Sequence, residues 1–183
     1  MLLFLCLNFS MIDYQALANR FVAGINTYDV DAKIWISAFH YIDQHSEELI
    51  FNHQGIHLIW TVSGGHIRNK VRNDELILRI LRLGLPKYKG HGFTLYRGEC
   101  KFLYEDKKLG FCWTPVREVA EMFARGLNAI ESGGVLLQAY APPGAILAEP
   151  NDHSASQMKE FEYTCDPGKL ENIKVIQSFP RCT

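Results

Sequence analysis

Hydrophobic and polar positions divide the chain into two parts with different periodicity. Up to about residue 85, apolar residues recur every three or four positions, which is the spacing of helices with one buried face. From residue 92 onward, short alternating or wholly apolar runs are separated by turn residues, as in strands. The pattern therefore predicts an α+β protein, with a mostly helical part at 1–91 and a strand-rich part at 92–183.

Capping residues locate three helices in the first part. Asp13, Asp31 and Asn73 each precede an apolar stripe, and their side chains are typical of helix N-caps. The stripes after the first two caps contain Leu17, Phe21, Val22, Ile34, Trp35, Ile36, Phe39 and Ile42. The third helix, within NDELILRILRL, is expected to end at Gly84 because Pro86 follows closely.

The second part is predicted to contain several short strands and one helix. The candidate strands are GFTLYRG, LGFCWT, GGVLLQAY, GAILA, EFEYTC and IKVIQSF. Thr114 and Pro115 suit the N-cap and first position of the helix. The expected apolar stripe of this helix contains Val116, Val119, Ala120, Phe123, Ala124 and Leu127.

The first of these strands carries an arginine where an apolar residue is expected. Alternation places Phe93, Leu95 and Arg97 on one face of the strand and Thr94 and Tyr96 on the other. The apolar face therefore ends in a guanidinium, which is typical of a charged group directed into a cleft.

Two carboxylates lie close together in KEFEYTC. Read as a strand, this segment places Glu160 and Glu162 on one face, about 6–7 Å apart, and Phe161 and Tyr163 on the other. Two desolvated carboxylates resist joint ionisation, and such a pair suits cleavage through an oxocarbenium-like state. The alternative is an edge strand with its charged face in water.

Composition narrows the class of protein. A chain of 183 residues with net charge −1 fits one globular domain and gives no overall attraction to nucleic acid or a membrane. The odd number of cysteines without C-x-x-C spacing favours a reduced, cytoplasmic protein; they are Cys6, Cys100, Cys112, Cys165 and Cys182. The N-terminal MLLFLCLNFS lacks the basic flank and cleavage site of a secretory signal, and Met11 is a second candidate start.

Several other sites are excluded or disfavoured by their spacing. The chain has no G-x-G-x-x-G and no Walker loop. His53 and His57 have the i, i+4 spacing of a zinc helix, but the glutamate base is missing and Gly55 weakens the helix. The locally basic stretch from Arg68 to Lys89 is read as a solvated helix face rather than a binding patch.

Three motifs occur in an order that points to a known family. They are the strand-ending arginine of LYRGE, the strand-to-helix segment GFCWTPVREVAEMFA, and the later E-x-E. Together they resemble the arginine–serine–glutamate class of mono-ADP-ribosyltransferases, over about residues 92–179. Some transferases of this class have helices before the catalytic core, so the resemblance implies a helical part followed by a small two-sheet core that binds NAD in a cleft.

The resemblance implies a role for each matched residue. Arg97 would hold phosphate or ribose oxygens of NAD, and the backbone of Gly98 would approach the nicotinamide carboxamide. Glu162 would stabilise the oxocarbenium as nicotinamide leaves, and Glu160 would orient or deprotonate the acceptor. Phe123 would either wall the pocket or pack in the core, and we favour core packing.

The middle motif departs from the family pattern. Cys112-Trp113-Thr114 stands where the family usually has serine–threonine–serine. Thr114 is the expected source of the supporting hydroxyl, since a thiol is a weak hydrogen-bonding group. A nucleophilic role for Cys112 has less support, because no histidine partner is indicated by spacing.

The expected function is transfer of ADP-ribose from NAD to a macromolecule, without a metal, because the leaving group is already a cationic pyridinium. E-x-E resembles the form found in arginine modifiers. Loop 149–158 should meet the acceptor, and it has no aromatic ring on which a base could stack. A protein acceptor is therefore favoured over RNA or DNA. The class suggests a cytoplasmic toxin or phage-defence effector, with an antitoxin or inhibitor protein as a further partner and no membrane. The alternatives are an NAD glycohydrolase and an inactive nucleotide-binding module of the same fold.

Overall fold

A computed structural model of the chain describes residues 13–27 and 29–181. The apolar N-terminal segment, the alternative start at Met11, and Cys6 and Cys182 lie outside these ranges, so the expectations about them are untested. Within the described ranges no helix is both long and apolar enough to cross a membrane.

Four helices make up most of the first part: α1 (Tyr14–Val22), α2 (Ala32–Gln44), α3 (His53–Val71) and α4 (Asp74–Gly84). The three predicted caps are confirmed, because the side chains of Asp13, Asp31 and Asn73 accept backbone N–H groups of the first helical turns. Helix α3 was not located individually from the sequence. Its cap is Asn52, whose side chain accepts the N–H of Gly55 at 3.0 Å.

The second part contains two antiparallel sheets of three strands each, which makes the protein α+β. The first sheet has the order β1 (Phe93–Cys100), β3 (Gly134–Ala141), β6 (Glu171–Phe179). The second has the order β2 (Cys112–Trp113), β5 (Tyr163–Cys165), β4 (Ile146–Ala148). Helix α5 (Lys101–Glu105) follows β1, and α6 (Arg117–Arg125) packs on β1 and β3.

The faces of β1 are those that the alternation predicts. Leu95 and Phe93 pack in a cluster between the sheets, whereas Tyr96 packs against the cluster that α6 forms with β3. The largest cluster belongs to the helices, but it also contains Phe111 and Leu147 from the second part. The two parts of the chain therefore share a core.

Polar contacts also join the helical part to the sheets. Arg68 of α3 donates to the carbonyl of Leu109 at 3.0 Å, and its guanidinium lies 4.7 Å from the centre of the Phe111 ring. Arg82 of α4 forms an ion pair with the buried Asp166. The Arg68 contacts tie α3 to the segment before β2, and α3 forms one wall of the cleft described below.

Three local predictions are wrong. Residues 160–162 are not part of a strand, because β5 begins only at Tyr163 and the chain turns at Phe161, which has a φ of 50°. Helix α6 begins at Arg117 with Val116 as its cap residue, so Thr114 is not the N-cap. The Thr114 hydroxyl instead accepts the Val116 N–H at 3.1 Å, in a turn ahead of the helix. Leu127 lies beyond α6 and is exposed.

Candidate functional site

A cleft of about 380 Å³ opens where the two sheets separate. Strands β1 and β2 are joined by paired backbone hydrogen bonds of 2.8 and 2.9 Å between Tyr96 and Thr114. Beyond this bridge the strands diverge, and α3 closes the opposite side. The lining includes Trp60, Thr61, Gly65, Tyr96, Arg97, Gly98, Cys112, Trp113, Thr114, Val119, Phe123, Asn128, Glu160 and Glu162. The cleft thus contains every residue that the sequence assigned to the site.

Arg97 reaches the cleft from β1, but part of its guanidinium is already engaged. Nε donates to Oε2 of Glu99 at 2.7 Å, and Nη1 donates to the carbonyl of Cys112 at 2.7 Å. Burial opposes the charge of Arg97, yet the neighbouring Glu99 outweighs it and raises the pKa of Arg97. Arg97 is therefore a fixed positive charge in the cleft wall.

Glu99 was not predicted from the sequence as a residue of the site. It is 1% exposed, and its carboxylate accepts the N–H groups of Cys100 and Gly110 as well as Arg97 Nε. Burial raises the pKa of Glu99, but Arg97 and the backbone donors outweigh it and the net shift is downward. The signal was present, since alternation in R-x-E places Glu99 on the face of Arg97.

Glu162 occupies an unusual electrostatic position. The residue as a whole is half-buried, but its Oε1 is shielded from water and has no hydrogen-bond partner among the described residues. Burial, with a further contribution from the nearby charge of Glu160, raises the pKa of Glu162 to about 7. Arg97 and His153 oppose this shift. The carboxyl is consequently poised to exchange its proton near neutral pH.

Cys112 lies next to this carboxyl. Its thiol faces Glu162, and this contact lowers the pKa of Glu162 and so limits the effect of burial. Burial and the negative charge of Glu162 in turn raise the pKa of the Cys112 thiol well above its ordinary value. A thiol that stays protonated is a poor nucleophile. Cys112 therefore acts in the cleft through its contact with Glu162 and not as a nucleophile.

Glu160 and Glu162 are brought together by a turn rather than by a strand. Lys159 and Phe161 have φ values of 58° and 50°, in the left-handed region that bulky residues seldom occupy. The turn directs Glu160 and Glu162 to the cleft and leaves the Phe161 ring partly exposed between them. The predicted proximity of the two carboxylates therefore holds, although the predicted strand does not.

Gly98 is required by packing as well as by any ligand. A Cβ at this position would collide with the backbone of α6 at Ala120 and Ala124. Its carbonyl accepts the side-chain amide of Asn128 at 2.8 Å. Because Gly98 lies two residues after Tyr96, its backbone groups point to the same edge of β1, where Tyr96 is paired with Thr114. The Gly98 carbonyl is therefore already engaged by Asn128, although Gly98 itself lines the cleft.

The two remaining predicted residues line the cleft in different ways. Phe123 is half-buried on the cleft side of α6, whereas Ala120 and Ala124 make the helix contact with the sheet, so core packing does not describe Phe123. The Thr114 hydroxyl is engaged by Val116 N–H and not by Glu162. Among the described residues, no group of three His, Cys, Asp or Glu is placed to hold a metal.

Three of the seven basic residues in the stretch from Arg68 to Lys89 are paired with aspartates. Arg68 pairs with Asp74 at 2.6 Å and Arg79 pairs with Asp43 at 2.8 Å. Arg82 pairs with Asp166, as described above. These three arginines stabilise the helical part and do not present an unneutralised positive surface.

Helix α3 contributes a wall that the sequence did not indicate. Trp60, Thr61 and Gly65 line the cleft opposite β1, and Gly65 has open space around its Cα. No local motif marks these residues, since their position depends on the packing of α3 against the sheets. Comparison of the chain with protein-family models, curated proteins and solved structures finds no match.

Proposed function

We propose that the protein cleaves NAD and transfers its ADP-ribose to a macromolecule. The observation that carries this proposal is the buried Glu162 carboxyl, with a pKa near 7, in one cleft with Arg97 and Glu160. This grouping supports the resemblance to the transferase family, because Arg97 lines the same cleft as the distant Glu160 and Glu162.

Each residue has a chemical task in this proposal. Ionised Glu162 stabilises the positive charge that develops on the ribose as nicotinamide leaves, in a site shielded from water. Arg97 offers a fixed positive charge to the phosphates of NAD. Glu160 lines the same cleft and is suited to bind or deprotonate an acceptor. The backbone N–H of Gly98, in the lining of the cleft, is proposed to meet the nicotinamide carboxamide.

A protein acceptor is favoured over nucleic acid. Arg68, Arg79 and Arg82, three of the seven basic residues in the stretch from Arg68 to Lys89, are paired with aspartates. Two carboxylates at the cleft favour a cationic acceptor such as an arginine side chain. A toxin or defence effector with an antitoxin partner is the biological role that the family resemblance suggests.

Hydrolysis is the second candidate, since water reaches Glu160 in the same cleft. A non-catalytic binding module is the third, because the Thr114 hydroxyl is engaged elsewhere. Free nicotinamide after incubation of the purified protein with NAD separates an enzyme from a binding module. If neither nicotinamide release nor a labelled acceptor is detected, the enzymatic proposal is wrong.

The acceptor class is tested with labelled NAD in a cell extract, followed by protease or nuclease in separate aliquots. We expect label that is lost with protease and survives nuclease. Label lost only with nuclease would favour RNA or DNA, and nicotinamide release without labelling of the extract would favour hydrolysis.

A further inference from the structure

Three consecutive backbone N–H groups of the E-x-E turn converge on one residue. Glu160 N–H donates to the Ser154 carbonyl at 2.9 Å, and Phe161 N–H donates to the same oxygen at 3.3 Å. Glu162 N–H donates to the Ser154 hydroxyl at 2.7 Å. A single residue thus accepts from each position of the turn that carries the two carboxylates.

Ser154 is suited to hold this turn because it does not move freely itself. Its relative exposure is 0%, and it lies in a π-helical turn at His153–Gln157. The turn that it holds includes Lys159 and Phe161 in the left-handed region, which is a conformation that the surrounding structure must maintain. Without the hydroxyl, the Glu162 N–H would lose its acceptor next to a shielded carboxyl.

Ser154 is in turn connected to the helical part of the chain. Its N–H donates to Oδ1 of Asn151 at 3.0 Å, and the Asn151 side-chain amide donates to the Thr61 hydroxyl of α3 at 2.9 Å. Thr61 also donates to the carbonyl of His57 within the helix. A continuous series of hydrogen bonds therefore runs from α3 through the loop to Glu162.

We infer that Ser154, anchored through Asn151 to α3, is a positioning residue that holds the Glu162 carboxyl in the cleft. The inference rests on the proposed function in that it gives the carboxyl a catalytic task. It also assigns a role to the helical part, which acts on the catalytic residue through this loop without supplying a reacting group.

The consequence for Glu162 follows from what surrounds it. The charged and titratable groups that act on it are Arg97 from β1, Cys112 from β2, and His153 and Glu160 from its own loop and turn. Replacing Ser154 with alanine changes none of these groups. It releases the backbone of the turn, so water gains access to the carboxyl and its pKa falls towards the ordinary glutamate range.

The test compares Ser154→Ala and Asn151→Ala with Ser178→Ala, an exposed serine of β6 outside the cleft lining. The Glu162 titration is followed by the carboxyl ¹³C signal, assigned by its loss in Glu162→Gln, and NAD turnover is measured on the same samples. We expect Ser154→Ala to lower the Glu162 midpoint by about one pH unit or more. The turnover number should fall about tenfold or more with little change in KM, because misplacement of a catalytic group mainly affects the chemical step. Asn151→Ala should shift both readouts in the same direction, and Ser178→Ala should shift neither.

An unchanged Glu162 midpoint in both folded variants would overturn the inference, even if turnover falls. If Ser154→Ala does not fold, the Glu162 midpoint in Asn151→Ala decides alone. That variant removes the link between Ser154 and α3 and leaves the Ser154 hydroxyl in place. A failure of the proposed function gives a different result from a failure of this inference. The wild type would then release no nicotinamide, whereas the ¹³C midpoint would still show whether Ser154 positions Glu162.

Discussion

Arg97 and Glu99 form an ion pair on one face of β1, with the Glu99 carboxylate 2.7 Å from Arg97 Nε and almost completely buried. The pair explains why a strand with an apolar face can end in a guanidinium. The arginine is held at the cleft by groups of the protein itself, which engage its Nε and Nη1.

Glu99→Gln is expected to destabilise the fold strongly. It leaves the guanidinium of Arg97 buried without an anionic partner, a change that typically costs about 3 kcal/mol or more. Chemical denaturation measures the loss. The control is Glu105→Gln, an exposed partner of Lys101, for which the loss should stay below about 0.5 kcal/mol. Equal effects in the two variants would show that the Arg97–Glu99 pair is not a structural element.

Gly98→Ala should separate α6 from β1. The added methyl group meets the backbone of α6, and backbone cannot move aside as a flexible side chain does. We expect a loss of about 1–3 kcal/mol in the free energy of unfolding. Gly144→Ala is the matched control, because nothing lies within 4 Å of its added Cβ. A Gly98→Ala protein as stable as Gly144→Ala would contradict the packing of α6 on β1.

The raised pKa of Glu162 predicts that stability falls with pH. The folded state retains the Glu162 proton up to about pH 7, whereas the unfolded chain releases it near the ordinary value of 4.5. The unfolded state therefore binds fewer protons in this window, and stability declines as pH rises through it, by up to about 3 kcal/mol. Glu162→Gln should remove this component, so the measurement is the difference between wild-type and variant unfolding energies at pH 5 and pH 8. A constant difference would mean that Glu162 titrates normally.

Cys112 is expected to limit how far the pKa of Glu162 is raised. Cys112→Ala removes the polar contact that lowers the pKa of Glu162, so the pH at which turnover reaches half its maximum should move above about 7. Cys112→Ser retains a hydrogen-bond donor and should leave the midpoint near that of the wild type with activity intact. A Cys112→Ser protein that folds and is inactive would indicate chemistry that belongs to the thiol.

The sequence was sufficient where structure is determined locally. The caps at Asp13, Asp31 and Asn73 act within one helical turn, so their side-chain type predicts their bonds. The face of Arg97 follows from alternation along a single strand. The proximity of Glu160 and Glu162 follows from their spacing of two residues.

The features that were predicted wrongly or missed depend on contacts between distant segments of the chain. The E-x-E segment alternates as a strand would, but hydrogen bonds to Ser154 hold it in a turn. Thr114 has the chemistry of an N-cap, yet its backbone is committed to Tyr96 and the helix begins later. The α3 wall of the cleft has no local signal, because it results from packing between the two parts of the chain.

The proposed function requires that Glu162 act on bound NAD. The most direct measurement is nicotinamide release by the wild type and by Glu162→Gln, with NAD binding measured on the same preparations. Glutamine retains the shape and removes the charge, so we expect turnover to fall about 10²–10³-fold or more while NAD still binds. Glu105→Gln, an exposed change outside the cleft, should retain the wild-type rate. A Glu162→Gln protein that releases nicotinamide at the wild-type rate would contradict the proposed role of Glu162.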